Sequence, residues 1–266
     1  MPRARLDIEL VRRGLARSRE HAQELLAAGR VSVAGTSATK PATQVARDTP
    51  IVIATAGPAD GYVSRGGHKL AGALDTFSDL AVDGRRALDA GASTGGFTDV
   101  LLRRGARQVV AVDVGYGQLA WSLRTDERVV VLDRTNMRTL GVEQVPGGLV
   151  DLAVADLSFI SLGLVLPSLI GVTMADGDLL VMVKPQFEVG RERLGPGGVV
   201  REPALRAEAV RTIAERAAAL GWGTAGVTAS LLPGPAGNVE YFLWLRAGAP
   251  GPDPRAIERA IVEGPP

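Results

Sequence analysis

The chain has 266 residues, 46% of them hydrophobic, enough for one large packed domain or a medium domain beside a small one. It contains no Cys and two His, which excludes disulfides, thiolate metal sites and a cysteine nucleophile; no metal is expected. The formal charge is only +1, but residues 1–60 carry nine Lys or Arg against six Asp or Glu, so the basic excess is N-terminal.

In chain order, Leu6, Ile8, Leu10, Val11 and Leu15 mark one face of a short helix that Gly14 can end. Ser18 can cap a second helix through Leu25, Leu26 and Ala28, and Gly29 can supply its left-handed C-terminal residue. Val31-Ser-Val33 and Ile51-Val-Ile53 read as strands, with a turn at Ala34-Gly-Thr36 and an extended piece from Lys40-Pro41. Residues 1–60 are therefore expected to form a small α+β domain. Gly57-Pro-Ala-Asp-Gly61 breaks both periodicities, and residues 61–66 are assigned to an interdomain linker.

Residues 67–250 alternate short apolar runs with helix-length segments. Strands are expected at 86–89, 108–113, 128–132, 150–155 and 178–183, and helices at 67–77, 96–104, 116–123, 162–171 and 203–220. This alternation predicts an α/β, Rossmann-like fold with a mostly parallel seven-stranded sheet buried on both faces. The last two strands, 223–230 and 239–245, flank Leu232-Pro-Gly-Pro-Ala-Gly-Asn238 and should close the sheet as an antiparallel hairpin. Residues 251–266 read as a C-terminal tail, and the Pro-Gly-rich pieces 195–198 and 232–237 as mobile segments. The most apolar stretch, 162–174, is interrupted by Pro167 and too short to span a membrane. The first ten residues include Arg3, Arg5, Asp7 and Glu9 and lack the apolar core of a signal peptide, so a cytoplasmic location is expected.

Strand 86–89 runs into Ala90-Gly-Ala-Ser-Thr-Gly-Gly96, where glycines can let backbone amides approach a ligand at a helix N-terminus. The spacing Gly91-x-x-x-Gly95-Gly96 departs from the Gly-x-Gly-x-x-Gly of dinucleotide binders and favours a cofactor without a pyrophosphate. Asp113 ends the next strand, where a carboxylate can take both ribose hydroxyls of an adenosine. The cofactor candidates are Asp89, Gly91, Ser93, Gly95, Gly96, Phe97 and Asp113. Asp156 and Lys184 end neighbouring strands at the carboxyl edge, and Lys69 and Glu240 could converge with them. A ribose 2′-hydroxyl is a poor nucleophile at neutral pH, and a lysine held by a carboxylate can stabilise or remove its proton. Amino-group methyl transfer would call for Asn or Asp before Pro-Pro-Tyr at the fourth strand, which Asp156-Leu-Ser-Phe159 does not supply.

Arg5-Leu-Asp, Gly14-Leu-Ala-Arg-Ser-Arg19, Gly29-Arg-Val31 and Lys40-Pro41 resemble the small S-four RNA-binding module. That resemblance implies RNA contacts by Arg5, Arg12, Arg17, Arg19 and Arg30; Arg65, within the linker, is a sixth candidate. Residues 62–245 resemble the TlyA family of ribosomal RNA 2′-O-methyltransferases, related to the FtsJ-type enzymes. The motifs are Val63-Ser-Arg-Gly-Gly-His-Lys-Leu70, Asp89-Ala-Gly-Ala-Ser-Thr-Gly-Gly-Phe-Thr98, Asp113-Val-Gly-Tyr-Gly-Gln-Leu-Ala-Trp121, Ala155-Asp-Leu-Ser-Phe-Ile-Ser161, Val183-Lys-Pro-Gln-Phe-Glu188 and Gly237-Asn-Val-Glu-Tyr-Phe242. The resemblance implies S-adenosylmethionine as cofactor and a cytidine ribose in 23S ribosomal RNA, and in some members of the family 16S as well, as acceptor. It places a Lys-Asp-Lys-Glu catalytic tetrad on Lys69, Asp156, Lys184 and Glu240. Ribosomal subunits are the implied partner, and a monomer is expected. The linker departs from the family: in Asp60-Gly-Tyr-Val63, Asp60 stands where relatives carry Arg or Lys and Tyr62 where they carry tryptophan. The competing readings are a non-catalytic ribosome-binding or assembly factor and a membrane-active haemolysin.

Overall fold

The computed structural model describes residues 3–16, 18–27, 31–34, 36–47, 49–53, 61–234 and 237–265. The chain divides into two compact units, Met1–Gly61 and Tyr62–Pro266. Arg17, Arg30, the helix stop at Gly29, the turn glycine at 35 and the Pro-Gly segment 57–60 lie outside the described residues.

In the first unit β1 (Arg3–Arg5) leads directly into α1 (Leu6–Arg12), followed by α2 (Arg19–Ala27). β2 (Val31–Val33), β3 (Thr36–Ser37), β4 (Gln44–Ala46) and β5 (Ile51–Ile53) complete it. β1 pairs antiparallel with β4, and β2 lies between β3 and β5. Leu6 and Leu10, one helical turn apart, are buried with Ala22, Leu25, Leu26, Val31 and Val45 in a core that both helices share. Ser18 Oγ accepts the His21 N–H at 3.1 Å, the N-terminal cap its position suggests.

The second unit opens with α3 (Arg65–Thr76), then β6 (Arg86–Ala90), α4 (Gly96–Arg103), β7 (Gln108–Val112), α5 (Trp121–Arg124) and β8 (Val129–Leu132). It continues with β9 (Val150–Ala155), α6 (Leu166–Val172), β10 (Thr173–Val183), α7 (Pro185–Glu188), α8 (Pro203–Ala219), β11 (Trp222–Ala229), β12 (Tyr241–Ala247) and α9 (Pro254–Glu263). The sheet order is β11-β12-β10-β9-β6-β7-β8, with β10, β9, β6, β7 and β8 mutually parallel and β12 inserted antiparallel between β10 and β11. The two-residue period of the strands sends Leu88, Val110, Ala153 and Leu179 into one apolar layer, and Ala87, Val109, Leu152 and Leu180 into the other.

Three local expectations are revised. Helix 116–123 shrinks to α5, because Gly115 and Gly117 are held as loop by carboxylates: Gly115 N–H donates to Asp113 at 2.7 Å and Gly117 N–H to Asp133 at 3.2 Å. Helix 162–171 begins only at Leu166, since Pro167 has no N–H to give and suits a first turn, and the chain turns extended at Thr173. The expected tail is instead α9, capped by Asp253 and buried through Ile257 and Ala260.

The linker is also partly structural. Arg65 and Gly66 already belong to α3, and the Val63 N–H donates to Asp99 at 2.9 Å. The Tyr62 ring meets His68 edge-on at 5.2 Å and lies under the Arg103 guanidinium at 5.0 Å. It rests on Gly67, where any side chain would collide with its ring. The tyrosine that replaces the family's tryptophan therefore has a defined seat within this unit.

Candidate active site

Parallel strands end together, so residues just past their C-termini gather on one edge. β6, β9, β10 and β12 are consecutive neighbours there, about 4.8 Å apart, and carry Asp89, Asp156, Lys184 and Glu240 respectively. The Asp156 N–H donates to Ala90 O at 3.0 Å, which places it directly beside the glycine-rich turn.

That turn is shaped by its neighbours. A Cβ on Gly91 would stand 2.7 Å from Asp156 O, one on Gly95 would stand 2.8 Å from Leu119 Cδ1, and one on Gly96 would collide with Ser64 Oγ. Gly91 and Gly95 also adopt φ of +84° and +98°. Ser93 enters the left-handed region at φ +48° without being glycine, and its N–H donates to Asp113 Oδ2 at 2.8 Å. Asp113 Oδ1 takes the Gly115 N–H, so each oxygen is fixed by one amide and keeps a lone pair for a further donor.

Asp89 is wholly buried at the end of β6. Thr98 Oγ1 donates to its Oδ2 at 2.7 Å, while Oδ1 has no partner. Burial, aided by the nearby carboxylates Asp156 and Asp113, pushes its pKa up to about 7 despite the hydrogen bonds from Thr98. Gly96 and Phe97 open α4, where helical geometry leaves backbone N–H groups without internal partners. The Phe97 ring is buried in the core against Phe242, at 6.0 Å between centroids. An unsatisfied buried acceptor, a helix N-terminus and a carboxylate suited to a diol together fit a nucleoside joined to an amino acid.

The four tetrad candidates form two ion pairs. Lys69, on α3, is paired with Glu240, and both are almost fully buried. Lys184 Nζ lies 2.5 Å from Asp156 Oδ1 and donates to Ser158 Oγ at 2.9 Å. The second pair is more open, with 23% of the Asp156 side chain accessible. A buried ion pair is weak as a stabilising device, because desolvation offsets most of the attraction. The Lys69-Glu240 pair is therefore no strong contributor to stability, and both pairs lie at the same edge of the sheet.

Several residues at this edge lie within the family motifs but have no role assigned from the sequence. Ser158 is a direct hydrogen-bond partner of Lys184. Phe159 is 92% exposed at φ +64°, its ring 5.4 Å from that of Phe187. Among the described residues, three of the four non-glycine positions with positive φ (Ser93, Arg134 and Phe159) follow sheet strands at this edge. Of the Pro-Gly pieces expected to be mobile, residues 235 and 236 lie outside the described residues, and the end of 195–198 is held by Asn238: its Oδ1 accepts the Val200 N–H at 2.9 Å and its Nδ2 donates to Gly198 O at 3.1 Å.

The basic candidates of the first unit are organised by two buried acids. Arg5 makes a two-pronged contact with Asp7 at 3.0 Å, and Arg19 reaches the same carboxylate at 3.1 Å. Arg12 grips Glu9 at 2.6 and 2.7 Å, and Arg13 joins it at 2.8 Å. These hydrogen bonds hold Asp7 far below the usual carboxylate range and Glu9 down to about 2. The guanidiniums are thus partly committed, but Arg5 still has three N–H groups to offer. Arg65 is exposed in the first turn of α3.

The sheet order, the glycine turn with Asp113, and the lysine-carboxylate pairs define a methyltransferase of the α/β class. Residues 62–247 match the FtsJ-like methyltransferase family and residues 4–51 match the S4 domain. The chain belongs to the TlyA family, FtsJ-like methyltransferases with an N-terminal S4 domain. It is 61% identical to the 16S/23S rRNA (cytidine-2′-O)-methyltransferase TlyA of Mycobacterium tuberculosis, over 99% of both chains. It is 34% identical to the 23S rRNA (cytidine-2′-O)-methyltransferase TlyA of Campylobacter jejuni, covering 69% of this chain and 70% of that one. A solved structure from Streptococcus thermophilus, provisionally described as a hemolysin, is 37% identical with a TM-score of 0.77, covering 99% of this chain and 96% of that one. Among the described residues, no helix is long and apolar enough to cross a membrane.

Proposed function

We propose that this protein transfers the methyl group of S-adenosylmethionine to a cytidine ribose 2′-hydroxyl in 23S and 16S ribosomal RNA, acting in the cytoplasm as a monomer on ribosomal subunits. The observation that carries this reading is the Lys184-Asp156 pair, set one strand from the glycine-rich turn at an edge that also holds Lys69 and Glu240. The full-length similarity to a relative named for both ribosomal RNAs supports the two-subunit assignment over the large subunit alone.

In this reading Asp113 holds the ribose diol of the cofactor, the α4 amides and Asp89 hold its amino-acid end, and the cofactor supplies an electrophilic methyl group. Lys184 Nζ accepts the proton of the acceptor 2′-hydroxyl or stabilises the alkoxide that forms, with Asp156 and Ser158 fixing its direction. Lys69 and Glu240 position the acceptor ribose. Phe159 offers an exposed ring on which a base can stack. Arg5, Arg12, Arg19 and Arg65, with Arg17 and Arg30, supply phosphate contacts.

Two measurements test the assignment. Ribosomal subunits without the modification, incubated with S-adenosylmethionine and digested to nucleosides, should yield 2′-O-methylcytidine by mass spectrometry. Subunits that bind the protein yet stay unmethylated would leave a non-catalytic binding factor. In calorimetry, Asp113→Asn should weaken S-adenosylmethionine binding by about 10- to 100-fold, the loss of about 1.5–3 kcal/mol expected for hydrogen bonds to a charged group. An unchanged affinity would remove Asp113 from the pocket.

A further inference from the structure

Two segments run alongside each other at the catalytic edge: residues 156–162 after β9, and residues 184–188 after β10. They meet at three successive points. Lys184 contacts Asp156 and Ser158, the Phe187 ring packs on Phe159, and Glu188 accepts from Ser161 Oγ at 2.6 Å and from the Leu162 N–H at 2.8 Å. The methyl-transfer reading uses the first of these contacts and leaves Glu188 without a role.

Glu188 is held where a carboxylate is not comfortable. It is largely withdrawn from water, and burial raises its pKa although both hydrogen bonds act in the opposite direction. One oxygen goes to Ser161 and the other to Leu162, so both ends of the carboxylate are committed to the neighbouring loop. That loop is not in a relaxed conformation: Phe159 sits in the left-handed region, which costs a residue with a side chain about 1–2 kcal/mol. Something must hold residues 157–160 in this shape, and Glu188 grips the chain two residues beyond Phe159.

We propose that Glu188 is a positioning residue for methyl transfer: it clasps Ser161 and Leu162 and so holds Ser158 and Asp156 against the Lys184 ammonium and the Phe159 ring outward. The inference rests on the assignment of Lys184 to methyl transfer. Misplacing a catalytic group by about 1 Å can cost on the order of 100-fold, so a clasp of this kind should affect turnover more than binding.

The test compares wild type, Glu188→Ala and Glu188→Gln in methylation of ribosomal subunits, alongside S-adenosylmethionine affinity by calorimetry and thermal melting. Glutamine can still accept the Leu162 N–H through its oxygen, and its amide can donate to Ser161 Oγ. Glu188→Ala is expected to lower kcat by about 10- to 100-fold with the cofactor Kd within about two-fold of wild type, and Glu188→Gln to recover most of the loss. Unchanged kcat in the alanine variant overturns the clasp. A glutamine variant as impaired as alanine also overturns it, because charge and not hydrogen-bond geometry would then be required. If Glu188→Ala does not fold, Ser161→Ala removes one of the two contacts; a several-fold loss of kcat supports the clasp and wild-type kcat overturns it. Inactive wild type would refute the methyl-transfer reading itself, whereas active wild type with an unaffected Glu188→Ala refutes the clasp alone.

Discussion

Lys184→Ala should reduce methylation of ribosomal subunits by about 1,000-fold, within the roughly 100- to 10,000-fold range for a positioned acid-base group. S-adenosylmethionine binding should be nearly unchanged, because the proposed cofactor contacts lie on Asp89, the α4 amides and Asp113. The fold should also survive. Asp156 is partly open to solvent, so water can replace the lost ammonium. The other pair would make a poorer experiment. Lys69 and Glu240 are nearly inaccessible, and removing either leaves a buried unpaired charge at a cost of about 3–5 kcal/mol. A Lys184→Ala protein that is folded, binds cofactor and methylates at the wild-type rate would end the proposed mechanism.

The cofactor-free protein should lose stability as pH rises from about 4 to 7, and Asp89→Asn should abolish much of that loss. The pKa of Asp89 lies near 7 in the folded chain, against 3.8 for an ordinary aspartate, so the folded state binds this proton more tightly than the unfolded one. The resulting stabilisation is complete below about pH 4 and gone above about pH 7, with an upper size of about 4 kcal/mol from 1.36 kcal/mol per pKa unit. Asparagine carries no charge to desolvate and can still accept from Thr98. Urea unfolding at pH 5 and pH 8 should therefore show the variant gaining on wild type at the higher pH. A wild-type-to-variant difference independent of pH would show that Asp89 titrates normally. The same residue explains a division of labour, since an acceptor that is costly to bury when empty is one a cationic ligand can satisfy.

Much of this site was readable because it sits at strand ends. The two-residue period located β6, β9 and β10, and in a parallel sheet the residues just after such strands share an edge whatever the loops do. Asp89, Asp113, Asp156 and Lys184 could be placed together on that ground alone. Lys69 and Glu240 were harder. Lys69 comes from a helix and Glu240 precedes a strand inserted out of sequence order, and they are 171 positions apart. The residues suggested only that they could converge at this edge, their place in a tetrad entered through family resemblance, and the structure supplies their contact. Phe97 belongs to the glycine-rich turn by position, and only the structure shows its ring packed in the core against Phe242.

The sequence by itself determined the two-unit order, the strand succession, the methyltransferase family and the edge where chemistry gathers, because hydrophobic period and motif spacing are local properties of the chain. Tertiary structure decided the rest. The Ser158 contact with Lys184, the Glu188 grip on residues 161 and 162, and the Asn238 tie to Gly198 and Val200 join segments 26 to 40 positions apart. α9 emerges as a packed helix because its apolar stripe meets α8 and β11. Each of these depends on which loops the folded sheet brings side by side, and neither period nor composition encodes such long-range contacts.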